Sequence, residues 1–145
     1  MTPPAIERAL PADAAAIEEL LTSTGLPTQG VREHLAHFLV ARAAGAIIGV
    51  IGLEPYGEEG LLRSLAVRPE YRSKGMGNNL YTRLLVEARA EGIKRLVLLT
   101  TTADRWFAGR GFARIGRESV VGDLRTSAEF RGACPSTAVC MELKL

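Results

Sequence analysis

The chain has 145 residues, of which 47% are hydrophobic and 23% charged, with a formal net charge of +2. That length supports one domain with a real core and is too short for two ordinary ones. So small a charge argues against nucleic acid as a partner, and the absence of a long apolar run argues against a membrane span.

The N-terminus, Met1-Thr2-Pro3-Pro4, lacks the basic start and apolar core of a signal peptide. The two cysteines then fit a reducing compartment, and a cytoplasmic protein is expected. Residues 5–10 read as a first strand. Pro11-Ala12-Asp13 opens a helix, with Asp13 near its positive end and Ile17, Leu20 and Leu21 as its buried stripe. Residues 22–27 form a loop, and a short second helix is predicted over 31–37, with Val31, Leu35 and Phe38 inward. Residues 39–42 and 46–53 look like antiparallel strands joined at Ala43-Ala44-Gly45. Residues 55–60 read as a turn.

Residues 61–92 organise the chain. An apolar strand, 61–67, is interrupted by Arg63 and Ser64. Pro69 prevents its continuation. A charged turn follows, Arg68-Pro69-Glu70-Tyr71-Arg72-Ser73-Lys74-Gly75-Met76-Gly77, and then a helical pattern from Asn78. Leu80, Tyr81, Leu84, Leu85 and Ala88 share one face of it, and Gly92 stops it. Glycines spaced by one residue just before a helix let a ligand approach the main chain. The first helical turn has free N–H groups and the positive end of the dipole, which suits phosphate. Arg72 and Lys74 add charge beside it, so the turn reads as a pyrophosphate cradle. It is not a Walker loop, because no Gly-Lys-Ser/Thr follows, and it lacks the third glycine of the dinucleotide fingerprint.

The rest of the chain alternates. Residues 95–100 read as a strand buried on both faces, 104–110 as a short helix carrying Trp106 and Phe107, and 113–118 as a strand after Gly111-Phe112. Residues 123–130 read as a late helix and 137–144 as a final strand. Together these predict a single α/β (α+β) domain over 1–145, a central mixed sheet flanked by helices.

Arg72-Ser73-Lys74-Gly75-Met76-Gly77 resembles the Arg/Gln-x-x-Gly-x-Gly/Ala signature of the GNAT superfamily of N-acetyltransferases. The resemblance implies a mostly antiparallel sheet and direct acetyl transfer from acetyl-CoA to an amine, without a metal. It implies that the main chain of Leu65, Ala66 and Val67 holds the pantetheine arm, and that an N–H in this stretch polarises the acetyl carbonyl. Arg72, Ser73, Lys74, Gly75, Met76 and Gly77 would contact the pyrophosphate, with Asn78 at the helix start. The strand from Arg95 would splay from the central strand to admit the co-substrate. By the same resemblance the partner is a small-molecule amine, with no nucleic acid and no membrane, and a homodimer is compatible with the fold.

Two departures from the family pattern matter. Many members carry a tyrosine four residues before the Gly-Phe pair, to protonate the leaving thiolate. Here that position, beside the co-substrate site, is Phe107. Members often have an acid in the central strand as general base, where this chain has Arg63 and Ser64. Glu58, Glu59 and Ser64 are the available candidates for catalysis; the two glutamates are equally readable as exposed turn residues. Arg63 either enters the cleft, where it favours an anionic acceptor, or pairs with a neighbouring acid. Ser64, Thr100 and His34 are the other candidates for the acceptor site. For His34 and His37 the alternative is a solvated helix face.

A narrower resemblance, to small GNAT proteins associated with arsenic resistance, rests on the segments 101–107, Gly111-Phe112 and 134–141. It implies a detoxification acceptor, amino-acid-like, phosphinothricin-like or arsenical. Cys134 and Cys140 raise thiol contact with a metalloid as one reading and ordinary core residues as the other. Phe107 and the missing strand acid also admit a second class of function, an acyl-CoA-binding sensor or degenerate module without turnover.

Overall fold

The computed structural model describes residues 4–145. One seven-stranded sheet runs in the order β1-β2-β3-β4-β5-β7-β6. Its strands are β1 (Ala5–Arg8), β2 (Phe38–Ala43), β3 (Ala46–Tyr56), β4 (Glu59–Val67), β5 (Arg95–Thr100), β6 (Ala113–Ile115) and β7 (Val139–Lys144). Every neighbouring pair is antiparallel except β4 with β5. The helices are α1 (Ala14–Ser23), α2 (Met76–Ala90) and α3 (Asp104–Ala108).

Strand alternation puts the two longer helices on opposite faces. Ile17, Leu20 and Leu21 of α1 pack with Val40, Val50 and Ala66. Leu80, Leu84 and Ala88 of α2 pack with Leu39, Ile51 and Val67, the neighbouring residues on the same strands. A third cluster, Leu61, Val97, Val120, Leu124 and Cys140, brings the C-terminal segment over β4, β5 and β7.

Several expected boundaries move, for local reasons. No helix spans 31–37. The segment forms turns and a single 3-10 turn, Leu35–His37, before β2 begins at Phe38. Buried Arg63 takes the carbonyls of Pro27 and Gln29, so the preceding loop is held by a side chain. Val31 is nevertheless fully buried, as the pattern requires. The turn expected over 55–60 is only Gly57-Glu58, because Gly57 adopts φ +68° and the ladder resumes at Tyr56 with Glu59. Helix α2 begins at Met76, two residues before the predicted start. The predicted strand 113–118 ends at Ile115, followed by a 3-10 turn at Arg117–Ser119. The predicted helix 123–130 is a 3-10 segment, Gly122–Thr126, and a wide turn, Glu129–Ala133. Left-handed Gly122 and Gly132 bracket this stretch, and Ser127 and Glu129 are buried beneath it.

Candidate active site

The site begins where β4 and β5 part. Their parallel pairing covers only Glu59, Gly60 and Leu61 against Arg95, Leu96 and Val97. Beyond it, the β5-facing edge of β4 has no strand partner. On its other edge β4 carries a bulge: Val50 pairs with Ala66 and Gly52 with Arg63, so Ser64 and Leu65 together oppose Ile51. Ser64 takes the left-handed conformation, φ +63°, which is uncommon for a non-glycine residue. The stretch 64–67, open on its β5-facing edge, lines a cleft of about 600 Å³, whose wall also includes Leu98, Leu99 and Thr100.

The far end of this cleft is the glycine turn. Ser73 and Gly75 are both left-handed, at φ +64° and +81°. Gly75 stands at the N-cap of α2 and no side chain caps that end. The N–H groups of the first turn are therefore available to a ligand. A Cβ at Gly75 would meet nothing within 4 Å, and one at Gly77 only Trp106 Cζ2 at 4.0 Å, so the space above the turn is open.

Arg72 and Arg110 line that space, whereas Lys74, also expected there, does not. Arg72 Nε donates to Val67 O at 2.9 Å, tying the turn to the end of β4. Lys74 Nζ lies 5.8 Å from the Tyr71 ring centroid. Arg110, which sequence reasoning missed, stacks on Trp106 at 3.4 Å and donates from Nε to Asn78 Oδ1 at 3.2 Å. Lining the same cleft, Phe107 is buried edge-on against Trp106, Phe112 and Tyr81.

An inner compartment of about 360 Å³ adjoins the cleft and shares Arg63, Ser64 and Thr100 with it. Its wall also includes Glu129 and Cys134. Thr100 Oγ1 accepts from the N–H of Ala103 at 2.9 Å, which fixes the end of β5. Arg63 does not project freely as an anion receptor. Its Nη1 donates to Glu54 Oε2 and to Gln29 O, each at 2.7 Å, its Nη2 to Pro27 O at 3.1 Å, and its Nε to Ser64 Oγ at 2.8 Å. The pairing alternative for this residue is the one observed, with Glu54 as the acid.

Glu54 accepts from the Tyr56 hydroxyl on its other oxygen, and His34 Nε2 lies 3.5 Å from that oxygen. His34 therefore stands behind Glu54 and lines neither space. Burial and the neighbouring carboxylate push the Tyr56 hydroxyl well above its ordinary range. Glu129 is buried, with Oε2 3.4 Å from Arg63 Nε. Burial pushes its carboxyl up to about 7 against the pull of Arg63, and the charge of Glu54 adds to the rise. Burial likewise pushes the Cys134 thiol, hydrogen-bonded to Glu129, up to about 12, so it is not a thiolate at neutral pH.

The structure brings Arg63, Ser64, Leu65, Ala66, Val67, Arg72, Ser73, Gly75, Met76, Gly77, Asn78, Thr100 and Phe107 to the cleft. Glu58 and Glu59 lie elsewhere. They sit at the closed end of the β4–β5 pair, where Glu58 meets Lys94 at 2.8 Å and Glu59 meets Arg95 at 2.6 Å. Lys94 holds the Glu58 carboxyl below its ordinary range. Of the residues missed, Glu54 left a signal: a lone acid in the apolar run 46–53 and its continuation. Glu129 left none, since its segment reads as an ordinary amphipathic helix. Among the described residues no group of three or more His, Cys, Asp or Glu is placed to hold a metal.

This architecture has close counterparts. Residues 8–116 match the model of the acetyltransferase (GNAT) family. The amino-acid acetyltransferase of Pseudomonas syringae pv. syringae is 43% identical over 84 residues, 57% of this chain and 19% of the relative. That of Ralstonia nicotianae is 37% identical over 93 residues, 63% of this chain and 21% of the relative. The matched region thus spans about a fifth of the length of these curated relatives. Among solved structures, N-acetylglutamate synthase from Neisseria gonorrhoeae, complexed with coenzyme A and L-arginine, superimposes with a TM-score of 0.82 at 24% identity, over 100% of this chain and 34% of that one. The PaiA N-acetyltransferase from Thermoplasma acidophilum, in complex with coenzyme A, gives 0.72 at 18% identity over 100% of both chains. At these identities the structures establish a shared fold. With three quarters of its length matched by the family model, the chain belongs to the GNAT acetyltransferase family.

Proposed function

We propose that this protein is an acetyl-CoA-dependent N-acetyltransferase that moves the acetyl group directly to the amine of a small, amino-acid-like acceptor. One observation carries the reading: the uncapped N-terminus of α2 and the β5-facing edge of β4, unpaired beyond Leu61, open onto the same cleft. The first suits a pyrophosphate and the second an extended amide-bearing arm. The names of the curated relatives, amino-acid acetyltransferases, support the acceptor class. The coenzyme A complexes of structural neighbours support the donor.

In this reading Gly75, Met76, Gly77 and Asn78 present main-chain N–H groups to the pyrophosphate, and Arg72, Lys74 and Arg110 neutralise it. The main chain of Leu65, Ala66 and Val67 pairs with the pantetheine arm. An N–H at the Ser64–Leu65 bulge polarises the acetyl carbonyl, which the thioester supplies in activated form. The inner compartment beyond Ser64 receives the acceptor. Phosphinothricin-like and arsenical amines belong to the acceptor class to be tested, as the narrower resemblance implies.

Phe107 favours one rival, an acyl-CoA-binding module without turnover, because that position carries no phenol to protonate the thiolate. Free-thiol release from acetyl-CoA over a panel of L-amino acids, polyamines, phosphinothricin and arsenical amines separates the two. Amine-dependent release is expected. Binding of acetyl-CoA with no release across the panel would favour the module.

A further inference from the structure

Arg63 and Glu129 stand in the wall of the inner compartment, and Glu54, outside that wall, pairs with Arg63. Two buried carboxyls, Glu54 and Glu129, face one buried guanidinium, Arg63. Glu54 is committed: one oxygen is held by Arg63, and the other by the Tyr56 hydroxyl. Arg63 is committed too, to Glu54, Ser64 and two loop carbonyls. Glu129 is not. Its nearest cation is Arg63 Nε, 3.4 Å away, and the hydrogen of that nitrogen points to Ser64 Oγ. Cys134 gives it only a weak thiol hydrogen bond. Glu129 thus shares with Glu54 a guanidinium whose hydrogen bonds go to other groups, and the space it lines is open to a ligand.

We propose that Glu129 receives the ammonium group of the acceptor and takes its proton, so that the inner compartment selects protonated primary amines over anions. The inference rests on the acetyl-transfer reading above. Geometry joins it to the chemistry. The same Arg63 nitrogen touches Ser64, at the β4 bulge, and Glu129, so the carboxyl lies beside the place where the carbonyl would be polarised. The charged and titratable groups around Glu129 are Arg63 from β4, Glu54 with its Tyr56 partner from β3, and Cys134 from the segment before β7.

The step balances without a further reagent. Ionised Glu129 takes one proton from the ammonium, leaving a neutral amine. The amine lone pair forms the C–N bond and the C–S bond breaks, its electrons leaving on sulfur. The second nitrogen proton passes to the thiolate, which yields the thiol and the neutral amide. Glu129 then returns its proton to solvent. No phenol at position 107 is needed.

Wild type, Glu129→Gln and Glu129→Asp are compared with acetyl-CoA and the L-amino acid giving the fastest thiol release from wild type. Glu129→Gln should lower kcat/KM about 100-fold and abolish the acid limb of its pH profile, with acetyl-CoA affinity unchanged within twofold. Glu129→Asp should keep the limb. A fall of less than threefold in Glu129→Gln, or an unchanged limb, would overturn the assignment. The ammonium site is read without acetyl-CoA, by carbon NMR of protein labelled at the glutamate side-chain carboxyls. The Glu129 signal, identified by its loss in Glu129→Gln, should shift saturably with ethylammonium and not with propionate. The reverse response, or none to ethylammonium, would overturn the proposal. Failure of wild type to bind acetyl-CoA would instead defeat the acetyl-transfer reading, and the NMR titration would still decide the ammonium site.

Discussion

Arg63 Nη1 donates to Glu54 Oε2 at 2.7 Å between adjacent strands, with both side chains buried. Removing one partner strands the other charge in a dry environment. Arg63→Ala should therefore destabilise the fold by about 3–5 kcal/mol, and Glu54→Ala by a similar amount. The double variant should lose much less than the sum. Chemical denaturation of the four proteins measures the coupling; additive losses would remove the pair from its structural role.

Glu129 makes stability depend on pH with a definite sign. Its folded value, about 7, lies above the ordinary 4.5. A carboxyl raised on folding supports the fold fully below about 4.5, and that contribution is lost as pH rises towards and through 7. The loss is on the order of 3 kcal/mol. Relative to Glu129→Gln, wild type should thus be less stable at pH 8 than at pH 5. Thermal unfolding of both proteins at the two pH values checks this; parallel shifts would place the titration elsewhere.

Arg110 lies on Trp106 at 3.4 Å, beside Asn78 at the start of α2. If it neutralises phosphate, Arg110→Ala should weaken acetyl-CoA about tenfold, the worth of one charge-assisted contact. The salt dependence of binding should also become shallower. Equal affinity for wild type and variant across a salt series would leave Arg110 as a clamp on the Trp106 ring.

The geometry of the glycine turn was legible because everything it needs is local. Two glycines, a proline before them and an apolar stripe after them occupy adjacent residues, and the strand end, left-handed Gly75 and the onset of α2 follow within two positions. Strand β5 matched its predicted span for a similar reason: a short apolar run between Gly92 and Thr101 has few alternatives. The inner compartment was not legible. It joins Pro27, Gln29, Arg63 and Glu129, which only the tertiary fold brings together, and Glu54 pairs with Arg63 from outside it. The 31–37 segment carries a helical pattern, yet a buried guanidinium holds the loop before it. Residues 123–130 carry one too, yet Gly122 at φ +79° and Gly132 at φ +117° turn the backbone around a buried acid. Glu58 and Glu59 drew attention as the acids nearest the central strand in sequence, but the hairpin carries them to its closed end.

The central claim is that the Arg72–Gly77 turn and the open edge of β4 hold acetyl-CoA, and calorimetric titration of acetyl-CoA into wild type, Gly75→Glu and Gly77→Glu tests it most directly. Neither glycine has a neighbour closer than 4.0 Å to an added Cβ, so both variants should fold, with some backbone strain at Gly75. The account predicts saturable one-to-one binding by wild type and none by the variants, whose carboxylates would fill the cradle with bulk and like charge. No binding by wild type, or equal binding by all three, would contradict it.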